Sequence, residues 1–344
     1  MHLSIKQNVS LADHTTLHVG GVADYFVEVT TKAELKSALQ YANAKALPSF
    51  VLGGGSNVLF PDEGFRGLVI KNAVRGLVVS KQDGEITVEV GAGENWDEFV
   101  SQMCEQGYWG LENLSAIPGT VGATPIQNVG AYGVEVSGLI AHVRAMHKTT
   151  LEEKVFTNAE CQFAYRDSYF KSPAGKDWVV LTVTFALSTK AISTKARPSL
   201  HYADLHSLQG QAVLTPNKVR DAVITIRSQK FPDWSEVGTA GSFFKNPIIS
   251  NEQYQELQKY HPDIPAHQTS DGGQKLALGW ILDKVCGLKG YCVNDVCLYQ
   301  KQALVLVNKG KSAEAISLFA QQVADTVFEK TKIKIEMEVL QIKN

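Results

Sequence analysis

Three stretches of this chain combine residue types that do chemistry. Residues 52–59 read LGGGSNVL. Gly53, Gly54 and Gly55, directly after a predicted strand, let successive backbone N–H groups converge on an anion, and Ser56 and Asn57 add neutral donors. Such a nest suits a diphosphate, with a glycine-rich hairpin turn as the plainer alternative. Residues 114–133 read LSAIPGTVGATPIQNVGAYG, with two prolines, repeated glycines and no charge. That backbone can lie flat against a large, partly apolar ligand such as a flavin with its diphosphate; an ordered Ω-loop is the alternative. The third stretch is GSFFKNP, residues 241–247. Its paired phenylalanines ask for burial. Ser242, Lys245 and Asn246 then need polar partners, because an unpaired buried hydroxyl or amide costs about 1–3 kcal/mol. The stretch is a polar turn over a core or the wall of an active site.

Other motifs fail on spacing. Gly91-Ala-Gly93-Glu-Asn-Trp96 has Trp where the dinucleotide fingerprint needs a third glycine. GKS at 310–312 resembles the end of a P-loop, but the motif's first glycine falls on Val305. Ser242 lacks the nucleophile elbow, since Ala240 and Phe244 flank it where glycines belong.

Short β-rich runs and a few clear helices must position these stretches. YFVEV (25–29), FVL (50–52), GLVIKN (67–72), EITVEVGAG, WVVLTVTFAL (178–187) and ALVLVN (303–308) read as strands. Thr31 and Glu34 stand in capping-box spacing before Leu35, Ala38, Leu39 and Ala42, which predicts a helix. ENWDEFVSQMCEQG places Trp96, Phe99, Val100, Met103 and Cys104 on one helical face, stopped by Gly107. Val219, Ala222, Val223 and Ile226 mark another helix, with Arg220, Arg227 and Lys230 off its stripe and Pro232 after it. A domain boundary falls near 228–235. A short helix over KLALGWILDKV, a long one from Ser312 to about Thr331 and a closing period-two strand, IKIEMEVLQI, complete the pattern. The segment 188–199 is polar and reads as an excursion.

Composition narrows the partners. The chain has 344 residues, 44% hydrophobic, enough for two to three cores. With 33 basic and 35 acidic residues the net charge is −2, so no bulk electrostatic case exists for nucleic acid or a membrane surface. The N-terminus lacks a signal-peptide pattern and no apolar run approaches a membrane span, so a cytoplasmic location is expected. Five cysteines, with no CxxC pair and no Cys/His cluster at zinc spacing, read as reduced thiols and no metal site. A monomer is the default expectation.

GGGSN, IPGTVGATPIQNVGAYG, FAYRDSYFK and AGSFFKNP, in this order and spacing, closely resemble the UDP-N-acetylenolpyruvoylglucosamine reductases, in the form with a tyrosine substrate loop. The likeness runs from about residue 15 to 340. It implies an α+β, FAD-binding fold of vanillyl-alcohol-oxidase type: two FAD-binding subdomains, 1–74 with the terminal strand 333–344 and 75–228, and a substrate-binding domain, 229–332. It implies non-covalent FAD, NADPH as co-substrate, and reduction of the enolpyruvyl sugar nucleotide to UDP-N-acetylmuramate in peptidoglycan precursor synthesis.

The resemblance also assigns residues. The flavin contacts would be Gly53 to Asn57 together with Ile117, Pro118, Gly119, Gly122, Ala123, Ile126, Gly130 and Tyr132, with Arg227 near the phosphates. Arg166, in YRDS, would bind the substrate carboxylate, for which a planar guanidinium is suited; a surface pair with Asp167 is the alternative. Ser242 would deliver a proton. A glutamate near the chain's end, Glu336 or else Glu338, would be a protonated donor, and Glu336 is the one chosen. Tyr202 and Lys230 would hold the substrate's diphosphate, with Asn246 a substrate-binding residue nearby. Another FAD oxidoreductase of the same fold, or a non-catalytic flavin or sugar-nucleotide binder, is the rival. No His lies in 52–59 or 114–133 for covalent flavin attachment, and the joint presence of Arg166, Ser242 and Glu336 counts against decay.

Overall fold

The computed structural model describes residues 3–82, 85–190, 199–200, 203–209, 213–269 and 271–343. They fall into two compact units, residues 1–9, 23–54 and 66–227 in the first and 10–22, 55–65 and 228–344 in the second.

The first unit holds two sheets. One orders strands Lys6–Ser10, Val22–Val29, Phe65–Asn72 and Ser49–Leu52, the last pair parallel with Ser49 opposite Leu68. Helix Lys32–Ala44 covers it. Thr31 and Glu34 form the capping box, and Leu35, Ala38, Leu39 and Ala42 are its buried face, packed with Val27, Val29, Leu68 and Ile70. At roughly 2 kcal/mol per fully buried leucine, this face outweighs the helix's intrinsic propensity.

The other sheet is antiparallel, in the order Glu153–Thr157, Ile140–His147, Trp178–Ser188, Glu85–Gly91, Leu77–Gln82. Its central strand is buried on both faces, which is why it reads as an unbroken apolar run. Helix Trp96–Glu105 starts at Asn95, whose side chain accepts the Glu98 N–H, and buries the five residues its spacing selects. Trp96 and Phe99 pack on Phe185 with ring centres 5.9 and 5.2 Å away. Helix Pro216–Lys230 sets Val219 and Val223 against Trp109, Tyr132 and Leu205.

In the second unit, strands Gly238–Ser242, Gln302–Asn308, Val296–Tyr299 and Cys292–Val293 form an antiparallel sheet. Helix Ala313–Thr331, capped by Ser312, buries Ile316, Phe319, Ala320, Val323 and Val327 in a core shared with Phe243, Phe244 and Leu306.

Two expectations are corrected. Cys292 and Cys297 are joined in a disulfide, whereas the sequence reading had every cysteine reduced. The pair lies directly across a hairpin, Cys292 opposite Cys297 and Val293 opposite Val296, and a spacing of five across a turn is not a pattern that metal or redox motifs reveal. Cys104, Cys161 and Cys286 are free and buried. The closing strand is also shorter than its period-two pattern: Met337 bridges Phe244, and only Leu340–Gln341 forms a strand, parallel to Val58–Leu59. The chain changes partner between these two points, so one continuous ladder cannot form.

Candidate functional site

In the first unit the two glycine-bearing loops meet backbone to backbone. A Cβ on Gly54 would lie 2.7 Å from the Gly119 Cα, and one on Gly53 would lie 2.6 Å from the Thr120 hydroxyl oxygen. Only residues without a side chain permit that approach. The second loop is held from below: the Gly119 carbonyl accepts the Trp96 N–H, while Val121 and Gly122 donate to the Glu94 and Ala92 carbonyls. Val121–Ala123 is a single 3-10 turn, followed by Ile126, with Gly130–Ala131 in a small hairpin against Val134–Glu135.

The loop's entry is fixed by charge. Asp97 accepts the Ala116 N–H at 2.5 Å and both terminal nitrogens of Arg220 at 2.5 and 2.9 Å. Burial pushes the Asp97 carboxyl up, but the Arg220 and Ala116 hydrogen bonds, with the charges of Arg220 and Arg227, outweigh it and leave its pKa below the usual value. Arg227 donates from Nε to the Ala116 carbonyl at 3.1 Å. Burial lowers its pKa, opposed by the Tyr132 side chain, which is also its hydrogen-bond partner. Tyr132 itself is buried beside Trp109. A half-buried cation beside a surface bare of side chains fits the diphosphate and ring of FAD.

Arg166, on a separate segment, reaches the same loop. Its guanidinium donates to the Asn128 carbonyl at 3.3 Å and the Gly130 carbonyl at 2.5 Å, and the Asp167 carboxylate accepts the Ser168 N–H. Its backbone is left-handed, φ +53°, a conformation that costs a non-glycine residue about 1–3 kcal/mol and collects at functional sites.

In the second unit, the GSFFKNP stretch divides its labour. Phe243 and Phe244 are fully buried and pack edge to face, centres 5.5 Å apart. The strand carries a register shift between Thr239 and Ser242, with Gly241 at φ +70°. The Thr239 hydroxyl holds it, donating to the Leu306 carbonyl and accepting the Gly241 N–H. Such a bulge re-aims the next side chain. That residue is Ser242, half-buried, whose hydroxyl has no hydrogen-bond partner among the described residues.

Lys245 pairs with Glu336 at 3.0 Å, the Glu336 side chain being 77% exposed. Glu338, two residues on, is half-buried; its N–H donates to the Phe243 carbonyl and its carbonyl accepts the Asn57 amide. Asn246 accepts the Leu278 N–H at 3.0 Å and so starts the short helix there. Lys230 is the last residue of its helix. Gly55 backs onto the His14 carbonyl. Tyr202 lies outside the described residues.

Sequence reasoning missed Asp97 and Arg220. Asp97 reads as a favourable acid in the first helical turn, and nothing in a sequence links it to a residue 123 positions away. It also missed Asn113, whose amide donates to the Tyr132 and Ser199 carbonyls and accepts the Ser199 N–H.

Among the described residues no helix is long and apolar enough to cross a membrane, and no group of acidic, His or Cys side chains could hold a metal. Residues 23–151 match the model of an FAD binding domain, and residues 233–342 that of the UDP-N-acetylenolpyruvoylglucosamine reductase C-terminal domain. The chain is 41% identical to the UDP-N-acetylenolpyruvoylglucosamine reductase of Pseudomonas fluorescens, covering 98% of this chain and 99% of that one. It is 42% identical to the reductase of Bdellovibrio bacteriovorus over the same shares. The crystal structure of the Thermus caldophilus reductase superposes with a TM-score of 0.69 at 25% identity, covering 99% of this chain and all of that one. The expected α+β class, an FAD-binding domain followed by a reductase C-terminal domain, is borne out, and the chain belongs to the UDP-N-acetylenolpyruvoylglucosamine reductase family.

Proposed function

We propose that the chain reduces the enolpyruvyl group of UDP-N-acetylenolpyruvoylglucosamine to give UDP-N-acetylmuramate, with NADPH as reductant, as a cytoplasmic monomer in peptidoglycan precursor synthesis. The observation that carries this is the near full-length similarity to reductases of that name, on a chain whose two glycine loops meet at Gly54 and Gly119.

FAD, when bound, supplies the hydride that it has taken from the nicotinamide. Gly53 to Asn57 with Ile117, Pro118, Gly119, Gly122, Ala123, Ile126, Gly130 and Tyr132 hold its diphosphate and ring, with Arg227 balancing phosphate charge. Arg166 binds the substrate carboxylate, where charge accumulates as the double bond is reduced; one preorganised donor there is worth roughly 3–4 kcal/mol. Ser242 gives a proton to the substrate carbon beside that carboxylate. Its hydroxyl is a poor acid, so it acts only as that carbon becomes strongly basic. A glutamate of the closing segment donates to the carboxylate. Glu338 suits this role better than Glu336, because it is half-buried, whereas the Glu336 side chain is 77% exposed and already engaged by Lys245. Tyr202 and Lys230 hold the diphosphate of the sugar nucleotide, with Asn246 a substrate-binding residue nearby.

The purified protein should be yellow, bleach anaerobically with NADPH and recover its colour when the enolpyruvyl sugar nucleotide is added. A flavin that bleaches but is not reoxidised by that compound overturns the proposal. Ser242→Ala should keep the bleaching step and lose most of the reoxidation.

A further inference from the structure

We propose that Asn128 is the positioning residue for Arg166, a role that rests on Arg166 as the carboxylate-binding group. The two residues exchange side chain for main chain. The Asn128 amide donates to the Ala164 carbonyl at 3.0 Å, two residues before Arg166, and the Arg166 guanidinium donates back to the Asn128 carbonyl at 3.3 Å. Ser168, two residues after Arg166, donates from its hydroxyl to the Ile126 carbonyl at 2.6 Å. The segment 164–168 is thus laced onto 126–130 from both ends.

Asn128 is more than one rung of this lacing. Its side chain is buried, 1% exposed, and uses three of its four hydrogen-bonding positions: the amide also donates to the Glu135 carboxylate at 2.9 Å, and the oxygen accepts the Ser137 N–H at 3.0 Å. Glu135 closes the hairpin that begins at Gly130, Ser137 lies in the 3-10 turn directly after it, and the Gly130 carbonyl is the other acceptor for Arg166. One amide therefore fixes both carbonyls that aim the guanidinium and the backbone that carries it. Asn128 and Arg166 both adopt left-handed backbone, φ +46° and +53°. Asn is the residue besides glycine that tolerates this best.

The test separates positioning from folding by following the two half-reactions of the flavin-loaded enzyme by stopped flow. In Asn128→Ala, bleaching by NADPH should stay within about twofold of the parent. Reoxidation by the enolpyruvyl sugar nucleotide should slow at least about tenfold, toward the roughly hundredfold that misplacing a reacting group by about 1 Å costs. Asn128→Asp keeps the acceptor for Ser137 but loses both donated bonds, and should fall in the same half-reaction. Glu135→Ala changes an exposed residue and removes one bond of three; it should slow reoxidation alone, by about two- to threefold, and it decides the matter if the Asn128 variants do not retain flavin. The double variant Asn128→Ala with Arg166→Ala should be no slower than Arg166→Ala alone, because one residue acts through the other. Equal slowing of both half-reactions, or additive losses in the double variant, overturns the inference. Normal reoxidation in the Asn128 variants beside a loss in Arg166→Ala overturns it while leaving the role of Arg166 standing. Normal reoxidation in Arg166→Ala removes both.

Discussion

Glu112 offers a sharp test of how the first unit is held together. Its side chain is fully buried. Oε2 accepts the Gly110 N–H at 2.6 Å, and Oε1 has no partner among the described residues. Burial pushes the carboxyl from an ordinary 4.5 up to about 7, only partly offset by backbone N–H groups of Glu112 and Gly110. For an acid whose pKa is raised by folding, the contribution to stability is complete below the unfolded value and is lost as pH rises through the folded one. At about 1.4 kcal/mol per pH unit, this carboxyl alone weakens the fold by about 2–3 kcal/mol between pH 5 and pH 8. Glu112→Gln removes the titration and keeps the shape. Any constant cost of burying the amide cancels when the two pH values are compared. Urea unfolding followed by the fluorescence of the buried Trp96 and Trp109 reads the effect. With a urea m-value of about 3 kcal/mol/M, the midpoint of the variant relative to the parent should rise by about 1 M urea from pH 5 to pH 8. Parallel midpoints across that range refute the reasoning and mean that the carboxyl is hydrated or paired.

Four further outcomes follow from the geometry. Asp97→Asn should weaken flavin retention and lower stability by about 2–3 kcal/mol, since it leaves the largely buried Arg220, 12% exposed, without its carboxylate; thermal melting with and without added FAD checks it. Alkylation of the native protein at pH 8 should label none of the three free cysteines, because burial pushes Cys104 and Cys161 up to about 12 and raises Cys286 as well. Mass spectrometry should find Cys292 and Cys297 linked, and Cys297→Ala should cost no more than about 2 kcal/mol, the entropy of so short a loop. Glu338→Gln should slow reoxidation by the sugar nucleotide far more than Glu336→Gln, and the reverse order restores the role to Glu336.

What the sequence revealed was whatever repeats locally. Helix Lys32–Ala44 announced itself through its capping box and apolar stripe, and helix Trp96–Glu105 through five residues at helical spacing. The glycine loops were legible because glycine has few reasons to cluster. What stayed hidden depends on distance along the chain. Cys292 and Cys297 are neighbours only through a hairpin register, and the closing segment broke its ladder because two different partners claim it. Asp97 and Arg220 look like ordinary helix-surface charges, since each lies off the apolar stripe of its own helix. Glu336 and Glu338 share one strand face in the pattern, and only the structure separates the exposed Glu336, paired with Lys245, from the half-buried Glu338.

The same distinction explains how the first unit's loops hold their shape. Ala116, Asn128, Tyr132 and Arg166 all adopt left-handed backbone, and each such residue costs about 1–3 kcal/mol. Each is met by hydrogen bonds of comparable worth, about 1 kcal/mol for neutral groups and up to 3 where a charge takes part. Ala116 is held by Asp97, Tyr132 by Asn113, Arg166 by two carbonyls, and Asn128 by three bonds of its own side chain. A loop strained in this way and pinned at each strained point has little freedom left to lose on binding, so more of the interaction with a ligand remains as affinity or rate. It follows that the positions most sensitive to substitution include side chains that touch no ligand.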